Sequence, residues 1–176
     1  MKKLILGSAI LAVLGVASNA MAAPNTGTVN FNGAVSSATC NIDLKDATGS
    51  NISAVDLGTI ATTAAAGTVV NFKLIPKEPT CLTKAAATMT WNSPTLNATG
   101  MGNSVANGTN AVMLLTAMNS SAQDKSVKQG NTSFDYTVTG GIKSFDYAAA
   151  LAKPNASTAF TAGAFSASAN YSVAYK

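Results

Sequence analysis

Apolar and polar residues alternate along two segments near the two ends of the chain. The first segment reads Gly27-Thr28-Val29-Asn30-Phe31-Asn32-Gly33-Ala34-Val35. In the second segment the apolar positions are Phe165, Ala167, Ala169, Tyr171, Val173 and Tyr175. Its polar positions are Ser166, Ser168, Asn170, Ser172 and Lys176. Strand side chains repeat every two residues, so each segment predicts a β-strand with one apolar face.

Between these ends, short apolar runs alternate with clusters of Gly, Asn, Ser and Pro, which is typical of an all-β domain. The predicted strands are Thr28–Ala38, Ala54–Ile60, Thr68–Ile75, Ala86–Trp91, Ala111–Ala117, Phe134–Thr139, Lys143–Ala149 and Gly163–Tyr175. Loops are predicted at Asn97–Asn110 and Lys153–Thr158. The alanine-rich stretches Ala61–Ala66 and Ala148–Ala152 favour helical turns as an alternative. Many short strands separated by regular turn signals predict a sandwich or a barrel.

The first 22 residues have the organisation of a signal peptide. Lys2 and Lys3 form a basic start, Leu4 to Val16 is apolar, and Ala20-Met21-Ala22 fits the cleavage pattern of small residues. A membrane anchor is the alternative, but this apolar run is too short to span a bilayer comfortably. We therefore predict a signal peptide at 1–22, an N-terminal extension at 23–35 and one domain at 36–176.

Charged residues are scarce, at 10% of the chain, and the formal net charge of +4 falls to +2 when the signal with its two lysines is removed. All eleven basic residues are lysines. The chain thus has no arginine for bidentate contacts to phosphates or base edges. This composition argues against a nucleic-acid partner.

The chain has two cysteines, Cys40 and Cys81. In an exported protein they predict one disulfide, which closes a loop of about 42 residues and contributes roughly 4 kcal/mol in the chain-entropy model. Two free thiols or half of a metal site are the alternative. With no histidine and no third cysteine the sequence offers too few zinc ligands, so we predict the disulfide and no metal or other cofactor.

The tripeptide Phe-Asp-Tyr occurs twice, at 134–136 and 145–147. In a strand its two aromatic rings share one face and the aspartate points the other way. This pattern favours aromatic anchors of a sheet core over a sugar site built from aromatic and acidic residues.

No set of residues marks a catalytic site. Histidine, the usual general base, is absent. Nothing in the spacing of the acidic residues indicates a catalytic pair; these are Asp43, Asp46, Asp56, Glu78, Asp124, Asp135 and Asp146. We therefore predict that the protein is not an enzyme.

Several motifs together resemble the structural subunits of chaperone–usher fimbriae of the type 1 pilin kind. The stretch from Gly27 to Cys40 resembles the start of such a subunit, and Val55-Asp56-Leu57-Gly58-Thr59-Ile60 resembles its Leu-Gly strand. Val70-Asn71-Phe72-Lys73-Leu74-Ile75 is similar to the strand before the second cysteine. Gly163 is the fourteenth residue from the end and Tyr175 is penultimate, as in that family. The resemblance covers essentially the whole exported chain.

The resemblance implies an all-β, incomplete immunoglobulin-like sandwich that lacks its last strand. Such a molecule has a groove with unpaired backbone groups, which is a template for aggregation. The resemblance further implies that a periplasmic chaperone lends a strand to the groove, and that the next subunit's N-terminal extension replaces it at an outer-membrane usher. The expected product is a cell-surface fimbria, a head-to-tail polymer of identical or homologous subunits that supports adhesion, with host glycans as a further partner.

The predicted donor residues are Asn25, Gly27, Val29 and Phe31, which share one parity and would face into the groove of the neighbour. Gly27 lacks a side chain and so allows close approach to the groove floor. The alternative for Gly27 is a turn glycine, and the alternative for the whole segment is a disordered terminus.

The C-terminal strand is predicted to form the groove edge with which the chaperone pairs; its candidate residues are Gly163, Tyr171, Val173, Tyr175 and Lys176. The resemblance implies that basic chaperone residues bind the carboxylate of Lys176. The alternative for the tyrosines and Val173 is plain core packing, which is compatible with that role.

A secreted carbohydrate-binding or adhesin domain is the alternative function. An exposed tyrosine, or Trp91 in a loop pocket, would favour it. The length of the chain instead favours a shaft or minor subunit.

Overall fold

The computed structural model describes the backbone of residues 27–33 and all of residues 40–176. Within these described residues there are eleven strands and one short helix. The strands are β1 (Gly27–Gly33), β2 (Ile42–Asp46), β3 (Val55–Asp56), β4 (Val70–Pro76), β5 (Ala86–Asn92), β6 (Met101–Gly102), β7 (Val112–Ala117), β8 (Ser126–Val127), β9 (Ser133–Thr137), β10 (Phe145–Ala152) and β11 (Phe165–Tyr175). The helix is α1 (Pro79–Leu82). No helix in the described part of the chain has the length and apolar character needed to cross a membrane.

The strands form two sheets. The first has the order β3-β1-β11-β5-β9, and the second has the order β2-β4-β10-β7-β6 with β8 also paired to β7. Every described pairing is antiparallel except that between β1 and β11, which is parallel. The two sheets do not close on each other, and the fold is an immunoglobulin-like sandwich with one disulfide. This confirms the predicted fold class.

The core lies between the two sheets and follows from the alternation in the sequence. In β5 and β9 every second residue is buried, and the residues between them are more exposed. Large side chains from both sheets fill the interior, among them Phe72, Trp91, Met113, Tyr136 and Tyr147, each exposed by no more than 1%. Burying one such side chain stabilises the fold by roughly 1.5–3 kcal/mol, so these alternating positions hold the two sheets together.

The second sheet departs from the simple alternation at its centre. In β10 the consecutive residues Tyr147, Ala148 and Ala149 are all buried. Ala148 pairs with Asn71 on one side and with Thr116 on the other, so its small side chain is covered by its neighbours in the sheet. The helical alternative for Ala148–Ala152 is therefore wrong, because these residues lie inside a central strand with a partner on both sides.

Most predicted strands are present with shifted ends. The strand predicted at Ala54–Ile60 is only two residues long, because Gly58 has a positive φ of 70° and turns the chain away. Strands β2, β6 and β8 were not predicted, and β6 lies within the predicted loop Asn97–Asn110. Ala61–Ala66 forms turns rather than a helix. Lys153–Thr158 is a loop, as predicted.

Proline residues end β4 and begin α1. Pro76 is the last residue of β4 and pairs with Ile42, whereas Pro79 occupies the first turn of α1, where a missing N–H costs nothing. This helix places Cys81 for the disulfide with Cys40, which confirms the predicted pairing.

Candidate functional site

The first sheet has a slot between β3 and β11, and the strand in this slot is β1. Strands β3 and β11 do not pair with each other, because β1 lies between them and pairs with both. Among the described strands β3 has no other sheet partner. Without β1 the first sheet would consist of β11, β5 and β9 with a separate β3. We call the space between β3 and β11 the slot.

The register of β1 matches the alternation of β11. Gly27, Val29 and Phe31 pair with Phe165, Ala167 and Ala169, whose side chains are at most 3% exposed. The positions between them pair with Ser166, which is half-buried, and with Ser168 and Asn170, which are exposed. On the other side of β1, Val29 pairs with the buried Val55 and Thr28 pairs with the exposed Asp56.

Of the predicted donor residues, three therefore lie in β1 at positions opposite core residues of β11. Asn25, the fourth, lies outside the described residues. That these residues enter the groove of a neighbour remains a prediction.

The opposite edge of β11 is covered at both of its ends. Strand β5 pairs with residues 170–175. Nearer the start of β11, the side chain of Asn103 bonds to the backbone on this edge. Its Nδ2 donates to the carbonyl of Ala164 at 2.8 Å, and its Oδ1 accepts from the N–H of Ser166 at 3.0 Å. The N–H of Ser104 also donates to the carbonyl of Ser166 at 2.8 Å. The slot side of β11 is thus the edge available to an added strand.

Gly163 lies two residues before β11, at the end of the slot where β1 begins. Its φ of 146° disfavours any other residue, and a Cβ atom there would lie 2.8 Å from the backbone of Gly108 and Thr109. A small cleft beside it is lined by Gly58, Ile60, Thr62, Thr109, Ala111, Leu151, Phe160, Thr161, Ala162, Gly163 and Phe165. Gly163 therefore allows the loop at 103–110 to approach the start of β11.

The other candidate residues of β11 anchor its C-terminal half. Val173 is buried, Tyr171 packs against Trp91 with ring centroids 5.5 Å apart, and Tyr175 packs against Phe145 at 6.3 Å. The N–H of Lys176 donates to the carbonyl of Ala86 at 2.9 Å. Core packing of these side chains is therefore present, and a role in chaperone binding stays a prediction.

The end of β11 lies beside the disulfide. An oxygen of Glu78 and the sulfur atoms of Cys40 and Cys81 all lie within 4.8 Å of one another. Burial, together with the charge of Glu78, raises the pKa of Tyr175 to about 12. In the described part of the chain this is the one group of three potential metal ligands, and its two sulfur atoms are joined to each other.

The two Phe-Asp-Tyr copies are core anchors. All four rings are fully buried, whereas Asp135 and Asp146 point away from the core and take polar partners. Asp135 accepts from Thr88 Oγ1 at 2.6 Å and Lys176 Nζ at 3.1 Å, and the first of these contacts contributes most to lowering its pKa. Trp91 is 1% exposed, so it does not provide the loop platform that would favour sugar binding.

Three other acidic side chains each form an ion pair with a lysine. Asp43 pairs with Lys77, Asp124 with Lys128, and Asp146 with Lys73. Exposed pairs of this kind contribute little to stability.

No family model matches the chain. The chain is 36% identical to the K99 fimbrial protein of Escherichia coli over 184 aligned positions, which cover 99% of each protein. The chain belongs to the fimbrial proteins. It is a subunit of the chaperone–usher type, as its motifs had indicated.

Within this fimbrial subunit, sequence reasoning located β1, β11, Gly163 and the disulfide, but it missed Asn103 and Ser104. These two residues lie in a loop rich in Gly and Asn, where such residues commonly bond to nearby backbone groups. Their partners Ala164 and Ser166 are about 60 residues away along the chain. No local pattern predicts a contact over that separation.

Proposed function

We propose that this fimbrial protein is the structural subunit of a cell-surface fimbria and polymerises by donating its N-terminal strand to the next subunit. The donated segment comprises residues 23–35, and the acceptor is the slot between β3 and β11 of the neighbour. The assembled fimbria supports adhesion of the cell.

The observation that supports this proposal is that the first sheet is complete only with a strand from the N-terminal extension. Residues 40–176 hold β3 and the group β11-β5-β9 apart, and β1 alone pairs with both. An added strand gains main-chain hydrogen bonds from the sheet edge and side-chain specificity from alternate positions. The same slot accepts the equivalent strand of a second copy.

Donation from one copy to the next is a heterologous contact. The donor surface and the acceptor slot are different parts of the molecule, so each copy uses both, and contacts that do not close into a ring continue as a filament. A complete ladder of backbone bonds must be lost for a subunit to leave, so release is slow.

Whenever β1 is out of the slot, a long sheet edge is exposed, which is a site of unspecific aggregation. We propose that a periplasmic chaperone covers it by pairing with the slot side of β11, and that an outer-membrane usher mediates the exchange. The carboxylate of Lys176 then binds basic residues of the chaperone. Export to the periplasm follows from the predicted signal peptide at 1–22.

The test compares two double substitutions in β1 in the chain that begins at Ala23. Val29→Asp with Phe31→Asp alters the positions that pair with buried residues of β11, whereas Thr28→Asp with Asn30→Asp alters positions paired with exposed ones. Both variants add the same charge. Fibres are followed by electron microscopy and by the ladder of oligomers that survives without heating in detergent.

We expect the first variant to form no fibres and the second to retain them, because a charge facing a sheet core is strongly unfavourable. Equal polymerisation by the two variants would contradict donation through β1.

A further inference from the structure

Strand β1 fills the slot of its own chain. Its seven residues pair with residues 165–171 of β11 in parallel, from Gly27 opposite Phe165 to Gly33 opposite Tyr171. The pairing joins the two ends of one chain and needs no second copy. Its direction also differs from that of every other described strand pair in the fold.

The position of Cys40 explains this direction. Cys40 is bonded to Cys81, which lies five residues before Ala86. Ala86 accepts a hydrogen bond from Lys176, and Ala87 pairs with Tyr175. Cys40 is therefore held at the C-terminal end of β11.

In the observed register of β1, only the parallel direction lets the chain reach that end. From Gly33 to Cys40 there are seven Cα–Cα steps, which span about 25 Å at most when fully extended. In a reversed β1 of the same register, Gly33 would lie opposite Phe165, and the way back to Tyr175 would be about 33 Å along the strand alone. The covalent connection thus excludes a reversed strand of this register in its own slot, while a strand from another copy has no such restriction.

We propose that the unassembled subunit closes its own sheet with β1, and that this closure competes with strand donation between subunits. The inference rests on the proposed function, because it concerns the same slot and the same strand. A tethered strand has an effective concentration in the millimolar range for a short linker. In a dilute solution of subunits, self-closure is therefore favoured over donation between subunits. It covers the slot edge of β11 and slows polymerisation until β1 leaves the slot.

The first test is cross-linking in the dilute, monomeric chain that begins at Ala23. Asn30 pairs with Ser168, and cysteines at two paired positions lie within the Cα range of a disulfide. The test variant is N30C with S168C. The matched control is N30C with S172C, in which the exposed Ser172 lies four residues, or about 13 Å, farther along β11.

We expect an intramolecular disulfide, located by peptide mapping, to form at least tenfold faster in the test variant than in the control. Equal rates, or cross-links found only in dimers and larger species, would overturn self-closure.

The second test measures binding of a labelled synthetic peptide of residues 23–35. The acceptors are the chain that begins at Ala23 and its Val29→Asp, Phe31→Asp variant, in which the tethered strand no longer competes. We expect the variant to bind the peptide at least tenfold more tightly. Equal binding by both chains would overturn self-closure. A variant that keeps its near-UV circular dichroism but binds no peptide would overturn strand donation, and the cross-linking result would still decide self-closure on its own.

Discussion

The hydroxyl of Tyr136 donates to the hydroxyl of Tyr147 at 2.6 Å, and this hydrogen bond joins the two sheets through the centre of the core. Tyr136 belongs to β9 in the first sheet, and Tyr147 belongs to β10 in the second. The oxygen of Tyr147 also accepts from Trp91 Nε1 at 2.9 Å and donates to the sulfur of Met89 at 2.9 Å. The two copies of Phe-Asp-Tyr thus meet in the core, where their tyrosine hydroxyls are hydrogen-bonded to each other.

The first prediction concerns the unequal roles of these two tyrosines. Tyr147→Phe removes the acceptor of two buried donors, whereas Tyr136→Phe removes one donor and leaves Tyr147 bonded to Trp91 and Met89. Each buried polar group that loses its partner costs about 1–3 kcal/mol. We expect Tyr147→Phe to lower the free energy of unfolding by about 2–4 kcal/mol, and Tyr136→Phe by about 1 kcal/mol.

Urea denaturation of the two variants and the parent chain measures these values. Equal losses in the two variants would show that Tyr147 does not hold the network together. A larger loss for Tyr136→Phe would show the same.

The second prediction concerns alkaline pH. Burial raises the pKa of all four tyrosines above the ordinary value of 10.0: Tyr136, Tyr147, Tyr171 and Tyr175. Below pH 10 these phenols are neutral in both states, and their contribution to stability is fully present. Above pH 10 the unfolded chain loses phenolic protons that the folded chain keeps, so stability falls as pH rises through the window between the unfolded and the folded pKa values.

We expect the phenolate absorbance near 295 nm to rise together with the loss of near-UV circular dichroism as pH is raised above 10. Tyr175, with a folded pKa of about 12, should ionise before Tyr136 and Tyr147, which are the most deeply buried. Complete tyrosine ionisation near pH 10 in a protein that remains folded would contradict the prediction.

The third prediction uses two adjacent glycines that have similar backbone angles. Gly140 and Gly141 have φ values of 87° and 93°. A Cβ atom at Gly140 meets nothing within 4 Å, whereas one at Gly141 would collide with the carbonyl oxygen of Leu82 in α1. The backbone cost of an alanine at positive φ, about 1–2 kcal/mol, is common to both positions.

We therefore expect Gly141→Ala to lower the free energy of unfolding by about 1–3 kcal/mol more than Gly140→Ala. Thermal unfolding of the two variants under the same conditions gives the difference. If the two alanine variants melt at the same temperature, then the loop that holds Gly141 moves away from α1 without cost.

The local pattern of apolar and polar residues was enough to predict several strands of the fold. Period-two alternation located β5, β9 and β11, and the same rule placed Asp135 and Asp146 on the outside and their flanking rings in the core. Strands β6 and β8 could not be read in this way. They have two residues each, too few to show a period, and exist because β7 offers them an edge.

Of the candidate site, too, the sequence predicted the local features and not the contacts between distant segments. Alternation determined which positions of β1 and β11 share a face, because side-chain direction follows from the backbone of each strand alone. The presence of only two cysteines, together with the signal-peptide pattern, was enough to predict the disulfide. The sequence did not determine the slot between β3 and β11, the bonds of Asn103 to Ala164 and Ser166, or the parallel direction of β1. Those depend on which distant segments become neighbours, and here the bond between Cys40 and Cys81 fixed the end of β11 from which the connection to β1 must start.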